Sequence, residues 1–370
     1  MAGPASVPPL RAEVIGSLLR PRSLKDAARA VAGDNAAIQY QRLLDREIAR
    51  VIARQEAIGL KVVSDGEFAR SSWFGFFFER LEGFRLARAL FTFKDAGGRD
   101  FEWSTCLAEK PIRRAGPILL DDYLRASGMA RKAIVKATLP APSAFHFFRL
   151  AGSVERAAYP EMSAYFDDLV DIYRAELADL AGAGCRYVQF DEVPAAMLCD
   201  EGVCRAVRGQ GSEPDDLLDQ YILLIERILS ERPPMTIGMH LCRGNFRGRW
   251  MAAGGYEPVA EKLFNRLSAD VFLLEYDSER AGGFEPLRFL PPKKRAVLGL
   301  VSSKTAKLED RSALLRRIDE AAKFVAPERL ALSTQCGFAS VAGGNVLSED
   351  EQWAKLELVV ATAISAWGTP

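Results

Sequence analysis

Hydrophobic positions alternate between two periods along this chain. Short β-branched runs that end in polar or glycine residues recur eight times, and longer segments with apolar residues at three- and four-residue spacing separate them. The runs are AEVIGS (12–17), KVVSDGE (61–67), KAIVKATLPAP (132–142), RYVQFDE (186–192), MTIGMHLC (235–242), DVFLLEYD (270–277), AVLGLVSS (296–303) and LALSTQCG (330–337). Helical periodicity predicts helices over 38–58, 161–182, 214–231, 256–267, 309–323 and 349–366. Eight strands with helical crossovers predict an α/β fold, a (β/α)8 TIM barrel. Residues 84–131 exceed what a crossover needs and predict an insertion after the second strand, a hairpin plus helix over one rim. No repeat or flexible linker interrupts the pattern, so one catalytic domain over 1–370 is expected.

Composition narrows the partners. The 370 residues are 49% apolar, enough for a large core, and Lys plus Arg equals Asp plus Glu at 49 each. That balance gives no electrostatic case for nucleic acid, and small molecules are the expected ligands. No run reaches the roughly 18 apolar residues that span a bilayer, and MAGPASVPPL lacks a signal-peptide pattern, so a cytoplasmic protein is expected, with no membrane partner. The six cysteines are sparse and irregularly spaced, and reduced thiols are expected.

Active sites of such barrels form at the C-terminal strand ends. Those ends carry Ser17, Asp65, Glu67, Asp191, Glu192, His240, Cys242, Glu275, Asp277, Ser302 and Cys336. Strand alternation puts His240 and Cys242 on one face. With Cys336 and a strand-end carboxylate, best Glu275, they make a tetrahedral Zn2+ set, although an H-x-C pair alone also reads as a core histidine beside a buried cysteine.

VIGS (14–17), ARQEAIGLKVVSDGE (53–67), QFDE (189–192), MHLC (239–242), LLEYD (273–277) and QCG (335–337) resemble, over nearly the whole chain, the C-terminal catalytic barrel of cobalamin-independent methionine synthase. The resemblance implies a catalytic zinc on His240, Cys242, Glu275 and Cys336, with Glu275 the ligand that loosens as the substrate sulfur arrives. It implies that Ser17, Glu67 and Asp191 hold homocysteine, and that the reaction is methyl transfer to its zinc-bound thiolate. For Glu67 and Asp191 the plain alternative is capping or ion pairing at a rim, and for Ser17 ordinary turn chemistry.

The sequence departs from that pattern where the methyl donor should sit. The family's general-acid histidine aligns with Val301, and the other histidine of this chain is His146, in SAFHFF, a substitute catalytic acid or a packing residue. The family's pterin-stacking tryptophan-serine motif is replaced by APSAFHFF (141–148), and the longer enzymes carry a further N-terminal barrel. Alternatives therefore keep the zinc and change the thiol, as with coenzyme M, or the donor, as with an epoxide, a methoxy compound or a corrinoid carrier protein. A uroporphyrinogen-decarboxylase-like lyase is a more distant reading. Arg243, Arg247 and Arg249 in RGNFRGRW are candidates for a substrate anion, with Arg243 first, or else anchors of a glycine-rich loop. The aromatic run SSWFGFFFERL (71–81) either walls the pocket or packs the insertion onto the barrel, and exposed aromatics in the insertion, 84–131, leave room for a homodimer.

Overall fold

The computed structural model describes residues 10–94 and 97–370; residues 1–9 of the expected domain, and 95 and 96 of the expected insertion, lie outside them. All eight expected strands form. They are β1 (Ala12–Glu13), β2 (Val62–Val63), β3 in two pieces (Ile134–Val135 and Ala137–Pro140), β4 (Tyr187–Glu192), β5 (Thr236–Leu241), β6 (Val271–Glu275), β7 (Arg295–Val301) and β8 (Leu330–Thr334). Parallel ladders join β2 to β3 and run on in chain order to β8, which pairs with β1. Among the described residues no ladder joins β1 to β2. That seam closes through Ser64 Oγ donating to Gly16 O at 2.6 Å and Leu18 N donating to Gly66 O at 2.9 Å.

Alternation sorts the strand residues onto two faces. Ile15, Val271, Leu273, Val297 and Ala331 form a separate apolar cluster, and a larger cluster unites the outer strand faces with the helices. A polar network also lies inside: Lys136 Nζ donates to Val14 O at 2.6 Å and stands 3.3 Å from Glu13, whose carboxylate accepts from Tyr187 Oη at 2.9 Å. Pairing matters there, because an isolated buried charge would cost several kcal/mol.

The insertion is smaller than expected. Its hairpin, Leu81–Arg88 antiparallel to Ser104–Arg114, leans over the rim, but the helix Leu120–Met129 packs in the outer layer beside Asp34–Ala57 and Met162–Gly182 as an ordinary crossover helix. Buried Glu176 ties the two together by accepting from the backbone N–H groups of Ile118 and Leu119, at 2.9 and 2.6 Å, and from Arg114 Nη2 at 2.7 Å.

His146, considered as a substitute acid, is not among the residues that line the cavity at the strand ends. It lies on the short helix Ala144–Phe147 after β3, buried edge-on against Phe166 and Tyr221, with Nδ1 2.8 Å from Tyr221 Oη, and packs rather than facing the barrel mouth. Burial pushes its pKa down to about 4. An unfolded histidine takes up its proton near pH 6.5, so between that pH and about 4 the unfolded chain binds a proton the native chain does not, and stability is lost as pH falls through this window. The full loss is about 3 kcal/mol. His146→Gln should flatten that part of the pH dependence of urea unfolding; an unchanged acid slope would show that His146 does not set it.

Candidate metal centre

A cavity of about 290 Å³ opens at the C-terminal strand ends, with His240, Cys242 and Cys336 among its lining residues. In β5 the inward positions are Gly238 and His240, and Cys242 follows at the same phase. Parallel register sets His240 between Asp191 of β4 and Leu273 of β6. His240 Nδ1 lies 3.1 Å from Leu273 O, which assigns the proton to Nδ1 and the lone pair to Nε2. That buried Nε2 has no hydrogen-bond partner.

Cys336 arrives from the turn after β8, where Gly337 is required: a Cβ there would collide with Ser17 Oγ. Its sulfur lies 3.6 Å from that of Cys242, and the ligand atoms of the two cysteines and His240 all lie within 4.8 Å of one another. The neighbouring Cys336 and then burial push the Cys242 thiol well above its ordinary pKa, because adjacent thiolates repel in a dry site. A soft divalent cation answers both the orphaned imidazole lone pair, which costs about 1–3 kcal/mol if left bare, and the repulsion. The residues fit such an ion.

Glu275, expected as fourth ligand, stands outside this three-residue group. Its Oε2 accepts from the Arg243 backbone N–H at 2.8 Å, while Oε1 pairs with Arg280 and lies 3.3 Å from Lys304 Nζ. Burial would raise its pKa, but Lys304, Arg280 and Arg243 hold it down at about 2. Neither Arg280 nor Lys304 was singled out by the sequence, although Lys304 follows the strand end at Val301–Ser302.

Ser17, Glu67 and Asp191 all line the cavity. Gly66 and Glu67 take left-handed conformations, φ +70° and +58°, with Asp65 Oδ1 accepting from Glu67 N at 2.8 Å; this sharp turn aims Glu67 inward at a strain cost of about 1 kcal/mol or more. Glu67 Oε1 accepts from Thr138 Oγ1 at 2.8 Å and Arg70 lies 3.5 Å away, whereas Oε2 has no partner. Gly16 is forced by the same carboxylate, which a Cβ would approach to 2.5 Å. Asp191 accepts from Gln189 Nε2 at 2.7 Å, and burial, opposed by His240, pushes its pKa up to about 6. Ser17 Oγ accepts from Ala339 N at 3.2 Å, which leaves its own proton to donate.

The other strand-end candidates serve the scaffold. Glu192 caps the helix Val193–Met197 and pairs with Ser143, and Asp277 accepts from Ser302 Oγ at 2.7 Å. Arg243, the first candidate for a substrate anion, is wholly buried and does not line the cavity; it lies over the Tyr256 ring, and its guanidinium donates to the carbonyls of Gly254, Glu275 and Ala281 at 2.8, 3.3 and 3.4 Å. Val301 is buried and does not reach the cavity. The aromatic run divides, with Trp73, Phe74 and Phe78 lining the cavity and Phe77 packed behind on Tyr173. The hairpin adds Leu86, Trp103 and Ser104, and Asn245, which the sequence did not flag, lines the cavity while donating to Gly337 O at 2.9 Å.

Known proteins match this architecture throughout. The family described as cobalamin-independent synthase, catalytic domain, matches residues 11–363. The uncharacterized protein YxjH of Bacillus subtilis is 38% identical, covering 97% of this chain and 95% of its own length. The methionine synthase of Pyrococcus abyssi is 22% identical, over 90% of this chain and 87% of that protein. A Listeria monocytogenes structural-genomics target of the vitamin-B12-independent methionine synthase type superposes with a TM-score of 0.76 at 30% identity, covering 98% of this chain and 99% of that one. With the barrel and its His-Cys-Cys floor in place, the chain belongs to the cobalamin-independent methionine synthase catalytic-domain family.

Proposed function

We propose that this protein is a zinc-dependent thiol S-methyltransferase that methylates homocysteine. The observation that carries the reading is the convergence of His240, Cys242 and Cys336 on one point of the cavity, with the imidazole lone pair unpartnered. Zinc on these three residues would leave a position open to a substrate sulfur and, once bound, favour its thiolate over its thiol at neutral pH.

The surrounding residues favour an amino-acid thiol over coenzyme M. Glu67, with one free buried oxygen, and Asp191 suit an ammonium group, and the Ser17 hydroxyl can donate to the adjacent carboxylate. A sulfonate would need a cation, and among the described lining residues there is no Lys or Arg. Glu275 keeps its ion pairs in this scheme and supplies negative charge beside the ligands. The sulfur would then attack the methyl carbon in line as the bond between that carbon and the donor heteroatom breaks, the electron pair leaving with the donor, and Ser17, Glu67 and Asp191 would hold the amino acid in place for the attack.

Purified protein should carry about one equivalent of zinc per chain and lose methionine formation on chelation, with recovery on adding zinc back; full activity in metal-free protein would exclude the proposal. Cys336→Ser should reduce bound metal and cut turnover by at least about 100-fold with little change in unfolding midpoint, since one of three ligands is lost. Glu67→Gln should raise KM for homocysteine roughly ten- to hundredfold, the worth of a hydrogen bond to a charged group, with metal content unchanged; an unaltered KM would remove Glu67 from the amino-acid subsite.

A further inference from the structure

The cavity has two ends of different chemistry. One holds the metal ligands with Glu67 and Asp191. The other is a continuous wall of six aromatic rings, Trp73, Phe74, Phe148, Trp103, Phe93 and Phe246, all lining the cavity. Successive ring centroids lie 5.5, 5.9, 4.8, 5.8 and 5.2 Å apart, so each ring touches the next.

Charge on the lining has one sign. Glu67, Asp191 and, at the mouth, the exposed Glu79 are its carboxylates, and among the described lining residues there is no lysine or arginine. A polyanionic donor meets no counter-charge here. Aromatic faces with carboxylates nearby are instead the recognition chemistry of an organic cation.

Proton supply points the same way. The histidine nearest the aromatic end in sequence, His146, is turned into packing, Val301 is buried away from the cavity, and the lining imidazole, His240, belongs to the metal group. A leaving group that departs as an anion would find no acid at the aromatic end. One that departs neutral needs none.

We propose that the methyl donor is a small onium cation, a methylsulfonium or quaternary methylammonium compound, seated against the Trp73–Phe246 aromatic wall above the thiol. This rests on the reading of the site as a thiol methyltransferase. The thiolate sulfur forms a bond to the onium methyl carbon as the carbon–sulfur or carbon–nitrogen bond breaks. The electron pair of that bond stays on the leaving heteroatom, which departs as a neutral thioether or amine, and no proton moves. The cavity, about 290 Å³, stands at the lower end of ligand-pocket sizes and suits two small molecules side by side.

The test offers cobalt-substituted protein homocysteine and, with zinc-loaded protein, trideuteromethyl-labelled dimethylsulfonioacetate, glycine betaine, methyltetrahydrofolate or methylcobalamin in separate arms. Label in methionine from either onium arm supports the proposal, and the two arms separate sulfonium from ammonium. Trp103→Leu, with Phe246→Leu as a second variant should the first not fold, should raise KM for the onium about tenfold while the homocysteine midpoint of the cobalt absorption change stays put. If homocysteine shifts the cobalt spectrum but only methyltetrahydrofolate or methylcobalamin yields labelled methionine, the onium donor is overturned and the metal–thiol reading stands. If no thiol perturbs the cobalt spectrum, that reading itself fails.

Discussion

Parallel register between β4, β5 and β6 is the constraint on which the mouth of this barrel depends. It places His240 level with Asp191 and Leu273, so the same pairing that closes the wall also orients the imidazole, through the Leu273 carbonyl. A one-residue slip would turn His240 and Cys242 outward together. The His240–Cys242 pair is therefore as rigid as the sheet that carries it, whereas Cys336 and Glu67 depend on turns.

Charge at the mouth is arranged in layers. Glu275 is neutralised by Arg280 and Lys304 and by the Arg243 N–H, which keeps a carboxylate ionised near the Cys242 thiol. Arg243 itself is spent on carbonyls of the loops that follow β5 and β6. Cations thus stand behind the carboxylates and out of the cavity, and the surface that a ligand meets is acidic at one end and aromatic at the other.

The barrel was largely legible in the sequence because its strands are buried on both faces and read as apolar runs, and because the crossover helices carry clear periodicity. The convergence of His240, Cys242 and Cys336 was legible for the same reason, since alternation and strand ends fix it. Less legible were features set by long-range packing. Arg243 next to the metal ligands looks like an anion receptor until its carbonyl partners are seen, and His146 among phenylalanines gives no sign of which way it points. The helix Leu120–Met129 reads as part of an insertion because the hairpin before it lengthens the segment. The aromatic wall draws its rings from four separate stretches of chain, and no window of sequence contains it.

The seam between β1 and β2 gains a meaning from what flanks it. Ser17 follows one strand and Glu67 the other, and in place of a ladder the segments are joined by the Ser64–Gly16 and Leu18–Gly66 hydrogen bonds and by the Arg20 guanidinium, which donates to the carbonyls of Glu67, Phe68 and Arg70. An amino acid gripped by both residues would act as a rivet across the one joint that no ladder closes among the described residues, and its binding would add to the strength of the wall.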